Sequence, residues 1–432
     1  MWDTNALDTD EIPMPGRPLL SILIPTCNRQ RYLAKCLGSV LRAFAKQNVE
    51  IVVQDSSDDV DREHVRRSVH QNGNLKYLIS NPETDFSENF NLAYANSEGV
   101  YVCAIGDDDT INPELYELVE WADRSEVDAV SQAHSAFYFW PDYRLKFMER
   151  RYAGRLYVRS SNPSLWRSEC AVALAKFLES GFLDNKGLPK VYGGAVRRTC
   201  LERICARGGR VFGGVSPDIY SSLAAGLVVE KSFITDYPLF VAGSCGASGT
   251  CLAATGKHVG GLSVPQLSKF RNLIWSPEVP AFYSEETVWA HSAMQALRDL
   301  GRTDLIHRVN LSMLYVRCLL SHPKYRKHVL QCITQLEQRN GCHRLPRKRD
   351  YLKSGLSVCG RRAHGVILRA RNMAYRVLTG GDAWRTEVIS EIPDIDAALT
   401  VLQGVISRRG WSIAQLLRDA GAGFTTCESS ET

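Results

Sequence analysis

The sequence predicts an α/β protein with a mostly parallel sheet, flanking helices and a mainly helical C-terminal region. Over the first 130 residues, short apolar runs alternate with segments whose apolar residues recur at helical spacing, a pattern typical of parallel sheets. Three of the apolar runs end in polar or acidic residues, at Thr26, Asp55 and Asp107. From about residue 265 onward the apolar residues keep mainly to helical spacing.

The N-terminal elements alternate strictly between strand and helix. The predicted strands cover 19–24, 50–54, 76–80 and 99–105, and the predicted helices cover 32–41, 62–70 and 87–96. Pro25 ends the first strand because proline has no amide proton for a β-ladder. Since the carboxyl ends of parallel strands share one edge of a sheet, we expect the side chains that follow them to form a ligand site.

The rest of the chain is less regular up to the C-terminal helices. Further strands are predicted at 137–140 and 156–158, and further helices at 200–207, 219–225, 285–300, 303–320 and 395–405. The glycine-rich segment 243–249 predicts a lid or a linker. We expect a polar leader over 1–18, an α/β domain over 19–262 and a helical region over 263–432.

Composition restricts the class of protein. Thirteen cysteines without a CxxC pair indicate reduced thiols rather than a disulfide framework. The N-terminus lacks the basic and apolar parts of a signal peptide, and no apolar run approaches the roughly 20 residues that span a bilayer. We therefore expect a cytoplasmic protein.

Charge is distributed unevenly along the chain. Residues 1–130 hold 23 acidic residues against 11 lysines and arginines, although the whole chain carries +5. The excess of basic residues beyond 130 favours an anionic partner: membrane, nucleic acid or anionic glycan. Segment 339–376, with eleven basic residues and one acid, is either a solvated face or a surface that contacts the inner face of the cytoplasmic membrane. Nucleic-acid binding is not expected, because no known motif accompanies the charge.

Three consecutive carboxylates, Asp107, Asp108 and Asp109, follow the fourth strand. They repel one another unless a cation or a ligand offsets their charge. Oxygen ligands suit Mg²⁺ or Mn²⁺, which leaves coordination positions for phosphate oxygens. The alternative is a polar turn in which Thr110 or Asp109 caps the next helix, with Pro113 in its first turn. The absence of a GxGxxG or P-loop motif after the first strand argues against dinucleotide-binding and P-loop folds.

Asp218 is the other candidate carboxylate. It follows Ser216 and Pro217 at the start of a predicted helix. It is either the N-cap of that helix or a carboxylate directed into the cleft.

Taken together, the motifs resemble family 2 glycosyltransferases of the GT-A fold. The matching segments are 21–29, 50–57, 89–93, 97–102, 106–109 with Pro113, and more weakly 194–198 and 217–220. Their order and spacing are more specific than any single segment. The helices after residue 262 resemble no family that we can name.

The resemblance implies transfer, with inversion, of a single sugar from a nucleotide-diphosphate sugar, with a UDP-sugar favoured. The acceptor would be a hydroxyl group of a glycan or lipid-linked molecule, in bacterial surface glycan or polysaccharide biosynthesis. Polymerisation is not expected, because the QxxRW signature of processive members is absent. An inverting transfer needs a base for the acceptor proton and a cation for the departing diphosphate.

The resemblance also assigns roles to individual residues. By position, the nucleotide pocket would be lined by Pro25, Thr26 and Asn28 or Arg29, with Asp55 on the base and Asn89 or Asn91 in the nucleotide region. Asp107 would lie near the ribose and the metal, Asp109 would bind Mn²⁺ or Mg²⁺, and Asp108 could take either role. Asp218 would be the catalytic base, although Ser-Pro-Asp departs from the commoner Glu-Asp pair.

Three other functions compete with this one. A haloacid-dehalogenase-like phosphatase also has an apolar strand followed by Asp-x-Asp, here Asp107 and Asp109. A sugar nucleotidyltransferase would carry a glycine-rich basic loop where this chain has 25–28. A catalytically degenerate GT-A fold that binds glycan or membrane would not need to keep acids at 55, 107, 109 and 218.

Overall fold

The computed structural model describes residues 16–58, 62, 65, 73–133, 136–145, 150–256, 258–338, 351–352, 354–356 and 386–425. Three sequence predictions fall outside these residues in whole or large part. They are the leader up to residue 15, the helix over 62–70 and the basic segment 339–376. The membrane contact proposed for that segment therefore stays a prediction.

The main sheet has eight strands in the order β3-β2-β1-β4-β10-β6-β11-β9. Their bounds are β1 Leu20–Thr26, β2 Val49–Asp55, β3 Leu75–Ile79, β4 Tyr101–Ala104, β6 Ala129–Gln132, β9 Leu165–Ser168, β10 Gly194–Arg197 and β11 Ser232–Thr235. The first four strands are parallel to one another, while β10 runs antiparallel to both of its neighbours. β4 and β6 therefore run in the same direction and end at the same edge.

A second sheet of five strands lies in the order β13-β8-β7-β12-β5. Its strands are β5 Thr110–Ile111, β7 Ala136–Phe139, β8 Arg155–Arg159, β12 Phe240–Ser244 and β13 Thr386–Ile389. β5 follows the three aspartates directly, and β12 pairs with it. This pairing brings a strand from much later in the chain against the acidic loop, which we define as residues 106–109.

The helices cover both faces of the main sheet. They are α1 Gln30–Ala43, α2 Phe86–Ala95, α3 Leu115–Arg124, α4 Cys170–Glu179, α5 Arg198–Gly208, α6 Pro217–Gly226, α7 Gly249–Ala254, α8 Glu285–Asp299, α9 Thr303–Ile306, α10 Leu311–Ser321, α11 Arg326–Gln338, α12 Ile395–Arg408 and α13 Ile413–Thr425. The predicted α/β class with a mainly helical C-terminal region is confirmed. The sheets and helices together fit a GT-A fold.

Alternate residues of the strands supply two separate cores. Leu23 of β1 packs with residues of α2, α6, α8 and α10, while Ile22 and Ile24 pack on the other face with α1, α3 and α12. The helices after residue 262 thus share their cores with the α/β part. The boundary at 262 stays a prediction.

One helix prediction is wrong in detail. The segment 303–320 is two helices, Thr303–Ile306 and Leu311–Ser321. The Asn310 side chain accepts a hydrogen bond from the Met313 amide and so caps the second helix, which starts a new helix inside the apolar pattern. Among the described residues, no helix is long and apolar enough to cross a bilayer.

Candidate functional site

The carboxyl ends of β1, β2 and β4 meet at one edge of the main sheet, next to a pocket of about 440 Å³. This volume lies within the range of roughly 300–1,000 Å³ of small-ligand sites. Of the residues that the sequence singled out, those that line the pocket are Pro25, Thr26, Arg29, Asn89, Asp107 and Asp108. Those that lie outside its lining are Asn28, Asp55, Asn91, Asp109 and Asp218.

Arg29 lies between the first two carboxylates of the acidic loop. Its Nη1 is 3.1 Å from Asp107 Oδ1, and its Nη2 is 2.9 Å from Asp108 Oδ2. Thr26 Oγ1 donates a hydrogen bond of 2.6 Å to Asp107 Oδ2. Burial would lower the pKa of Arg29, but the two carboxylates raise it above its ordinary value. Burial also raises the pKa of Asp107 to about 6, against the opposing effect of Arg29.

Asp109 is held by protein donors on both carboxylate oxygens. The amide of Gly106 and the hydroxyl of Tyr192 donate to Oδ2 at 2.8 and 2.5 Å, and the amide of Gly243 donates to Oδ1 at 2.7 Å. Burial and the neighbouring Asp108 raise the pKa of Asp109 to about 7, although these donors lower it. Asp109 therefore fastens the acidic loop to β12 and to Tyr192.

Gly243 allows β12 to approach the acidic loop closely. A Cβ atom at this position would lie 1.7 Å from the carbonyl oxygen of Asp108, which no side chain tolerates. That carbonyl accepts a hydrogen bond of 3.0 Å from Trp140 Nε1, and the amide of Cys245 donates to Asp108 Oδ2 at 3.1 Å. The glycine-rich segment 243–249 thus holds Asp108 in place.

Asp55 and Asn28 form hydrogen bonds that stabilise the structure around the pocket. Asp55 is fully buried, and its Oδ2 accepts hydrogen bonds of 2.6 Å from the Tyr77 hydroxyl and 3.0 Å from Gln30 Nε2. Asn28 adopts a left-handed backbone, with φ of 55°, and its Oδ1 accepts from the amide of Asp58. Asp55 links β2 to β3 and α1, and Asn28 fixes the turn that places Arg29.

The two asparagines of α2 tie strands and loops together. Asn89 Nδ2 donates to the carbonyls of Thr26 and Gln54, at 3.2 and 3.0 Å, and so holds the ends of β1 and β2. Asn91 pairs with the backbone of Phe212, donating at 2.7 Å and accepting at 3.0 Å. Phe212 belongs to the loop before α6, so Asn91 anchors the loop that leads into the helix of Asp218.

Asp218 is the second residue of α6, and its side chain is exposed. The alternative that Asp218 is the N-cap is wrong, because Ser216 occupies that position and donates to Asp218 Oδ1 at 2.5 Å. Burial lowers the pKa of Lys190, and Asp218 opposes this shift. Burial also raises the pKa of Tyr192 above its ordinary value, with a contribution from Asp218. Both of these side chains belong to the segment 190–192, which borders the pocket at Tyr192.

Two pocket residues, Tyr192 and Lys269, were not singled out in the sequence. Lys269 follows a short 3₁₀ helix, Pro265–Leu267, and its Nζ donates to Cys27 Sγ at 3.1 Å. Gly243 and Ser248 also line the pocket. The glycine run was the one sequence signal for this wall, because neither Tyr192 nor Lys269 belongs to a motif.

The pocket offers oxygen ligands of the kind that a divalent cation needs. Asp107 Oδ1 is buried without a hydrogen bond and faces Arg29. No cluster of three or more His, Cys, Asp or Glu side chains suited to a metal occurs among the described residues. A pair of carboxylates still fits Mg²⁺ or Mn²⁺ when phosphate and water supply the other ligands.

Part of the chain matches a known protein family and several distant relatives. The family model "Glycosyl transferase family 2" matches residues 21–169. A chondroitin synthase and a hyaluronan synthase of Pasteurella multocida are each 27% identical over 101 residues, 23% of this chain. The chain spans 10% of the length of each synthase. The glycosyltransferase GlyG of Streptococcus pneumoniae is 24% identical over 131 residues, 28% of this chain and 43% of the relative.

Among solved structures, the chain is similar to residues 1–349 of S. aureus TarS in complex with UDP-GlcNAc. The TM-score is 0.37 with 14% identity, over 91% of this chain and 93% of the other. The mannosyltransferase PcManGT of Pyrobaculum calidifontis, in complex with GDP-Man and Mn²⁺, gives a TM-score of 0.38 with 15% identity, over 90% and 88% of the two chains. The segment 21–169, which contains β1, β2 and the acidic loop, therefore matches glycosyl transferase family 2.

Proposed function

We propose that this protein transfers a single sugar, with inversion, from a nucleotide-diphosphate sugar to a hydroxyl group of a glycan or lipid-linked acceptor. A UDP-sugar is the favoured donor, and glycan or polysaccharide biosynthesis is the favoured setting. The names of the matched synthases support this setting. The family membership of the segment 21–169 supports the reaction class.

The observation that carries the proposal is the charge pattern of the 440 Å³ pocket. It presents two carboxylates, Asp107 and Asp108, together with two cations, Arg29 and Lys269. A nucleoside diphosphate needs positive charge for its phosphates and hydrogen-bond acceptors for its ribose hydroxyls. Both are present at the carboxyl ends of the strands, where α/β folds bind ligands.

Asp107 and Asp108 are the residues that would hold Mg²⁺ or Mn²⁺, because they line the pocket whereas Asp109 is engaged by protein donors. The sequence alone favours Asp107 and Asp109 as the ligands. When bound, the ion would stabilise negative charge on the departing diphosphate. Arg29 would then shift from the carboxylates toward the phosphates, because its planar guanidinium group can donate two parallel hydrogen bonds to a phosphate.

Asp218 is the proposed base. It removes the proton of the acceptor hydroxyl while the acceptor oxygen forms a bond to the anomeric carbon, and the diphosphate leaves with the electron pair of the broken bond. Two features support this role. The Asp218 side chain is exposed, and its charge acts on Tyr192, which lines the donor pocket.

The deciding experiment is calorimetric titration of UDP with Mn²⁺, with Mg²⁺ and with EDTA. We expect much tighter binding with either ion, and we expect Asp108→Asn to lose most of that gain. Asp304→Asn, an exposed acid on α9, is the matched control and should keep it. The same titration of Asp109→Asn tests whether Asp109 is a ligand.

Three results would contradict the proposal in whole or in part. Absence of binding by any nucleoside diphosphate would exclude the donor site. Equal affinity with and without metal would exclude the metal but leave the transfer reaction. Release of phosphate from a phosphomonoester without any nucleotide-sugar would favour the phosphatase alternative, which the family match does not support.

A further inference from the structure

A second and larger cleft, of about 960 Å³, lies beside the donor pocket. It is lined by the carboxyl ends of β6 and β11, by β9 and α4, and by β7, β8 and β13 of the second sheet. Its volume is at the upper end of the roughly 300–1,000 Å³ of ligand sites. The proposed reaction needs a second substrate besides the donor.

The charge of this cleft is strongly positive. Its lining contains five basic residues and two acids, namely Arg159, Arg167, Lys176, Lys186, Lys190, Glu169 and Asp184. The two arginines form ion pairs, Arg159 with Asp236 and Arg167 with Glu169. The three lysine amino groups form no ion pair or hydrogen bond with any residue that the structure describes. Unpaired cations gathered in one cleft favour an anionic ligand.

Aromatic rings line the same cleft. Phe137 and Tyr157 come from the second sheet, and Trp166 comes from β9, the edge strand of the main sheet. Trp166 is 39% exposed, which is a large exposed fraction for this side chain. Exposed aromatic faces next to polar groups are typical of sites that bind rings with both apolar and polar faces. Sugar rings have this character.

A three-residue segment connects the cleft to the donor pocket. Lys190 lines the cleft and Tyr192 lines the pocket. The charge of Asp218 acts on both of these side chains. The two sites also lie at the same edge of the main sheet, since β4 and β6 run in the same direction. A ligand in the cleft therefore lies next to the wall that Tyr192 forms in the donor pocket.

We infer that the cleft binds the acceptor, and that the acceptor is a sugar chain bearing phosphate or carboxylate groups. The lysines Lys176, Lys186 and Lys190 would bind its charges, and Trp166 would pack against a sugar ring. This inference rests on the proposed transfer reaction and names its acceptor class.

The test measures binding of four probes by calorimetry in the absence of donor. The probes are a phosphorylated maltohexaose, a hyaluronan hexasaccharide, uncharged maltohexaose and a single-stranded DNA hexamer. We expect one of the two charged saccharides to bind at least about tenfold more tightly than maltohexaose and the DNA, because charge and ring contacts are both required. The phosphate-bearing and carboxylate-bearing probes distinguish the two sources of negative charge.

Variants then locate the binding site. Lys176→Gln/Lys186→Gln/Lys190→Gln should weaken binding of the charged saccharide about tenfold or more. Lys46→Gln/Lys324→Gln/Lys327→Gln removes the same charge elsewhere and should leave binding unchanged. Trp166→Ala should weaken binding, and Trp166→Phe should restore much of it. UDP titration of every variant should match the wild type.

The outcomes separate this inference from the proposed function. Failure of every nucleoside diphosphate to bind the wild type contradicts the proposed function, whatever the saccharides do. Normal UDP binding with no preference for a charged saccharide overturns the acceptor inference alone. Equal binding of DNA, or full affinity in the triple cleft variant, also overturns it, since either result would place binding elsewhere or make it nonspecific.

Discussion

The hydroxyl of Tyr192 donates a hydrogen bond of 2.5 Å to Oδ2 of Asp109. These residues are far apart in sequence, and one lies in the acidic loop while the other lines the pocket beside it. Because Asp109 has a pKa raised to about 7, its charge near neutral pH depends on this donor. Tyr192 therefore couples the wall of the pocket to the ionisation of the acidic loop.

We expect Tyr192→Phe to make nucleotide binding more sensitive to acid. The hydrogen bond lowers the pKa of Asp109, so its loss raises that pKa further, by up to about one unit. More Asp109 is then protonated at neutral pH, and UDP affinity with Mn²⁺ falls. Titration across neutral pH should show the acid limb moved to higher pH. Tyr116→Phe on α3 is the control, and an unshifted limb in Tyr192→Phe would refute the coupling.

A second prediction concerns the close approach of β12. Gly243→Ala would place a methyl group 1.7 Å from the Asp108 carbonyl oxygen, so β12 and the acidic loop must separate. We expect UDP affinity to be lost and the melting temperature to fall. Gly404→Ala in α12 is the matched control, because nothing lies within 4 Å of its added methyl group. That control should keep UDP binding and stabilise the fold by up to about 1 kcal/mol. Normal UDP affinity in Gly243→Ala would contradict this arrangement.

Cysteine labelling offers a test that needs no substitution. Of the ten cysteines that the structure describes, Cys27 and Cys205 are partly exposed and the others are buried. Cys27 lines the donor pocket and Cys205 does not. We expect UDP with Mn²⁺ to slow alkylation of Cys27 by iodoacetamide and to leave Cys205 unaffected, as measured by peptide mass spectrometry. Equal protection of both thiols, or of neither, would place the nucleotide elsewhere.

Much of the donor site could be predicted because it depends on local pattern. The rule that parallel strands end at one edge is sufficient to bring Thr26 and Asp107 together, and they form a hydrogen bond of 2.6 Å. The same rule placed Asp55 at that edge. It could not show that the Asp55 carboxylate turns toward Tyr77 and Gln30, because those contacts depend on how α1 and β3 pack.

The direction of each side chain in the acidic loop could not be predicted from three adjacent aspartates. Asp109 accepts from the amide of Gly243, and that contact exists because β12 pairs with β5 across more than a hundred residues of intervening chain. Lys269 reaches the pocket in the same way, from a segment without a recognisable motif. Contacts between segments so far apart in the chain produce no periodic pattern in the sequence from which they could be predicted.

The last prediction concerns Asp218 as the base. General-base assistance contributes typically 10²–10⁴-fold to a rate, so Asp218→Asn should lower kcat by about that factor and leave UDP affinity nearly unchanged. Because Ser216 occupies the N-cap, replacing Asp218 removes no cap, and Asp218→Asn and Asp218→Ala should melt close to the wild type. Asp304→Asn, another exposed acid in the first turn of a helix, should keep full kcat. Measuring kcat, KM for the donor and melting temperature for all three variants separates a catalytic role from a structural one. An Asp218→Asn variant with wild-type kcat would exclude Asp218 as the base, and a variant that loses kcat and UDP affinity together would assign it to the donor site.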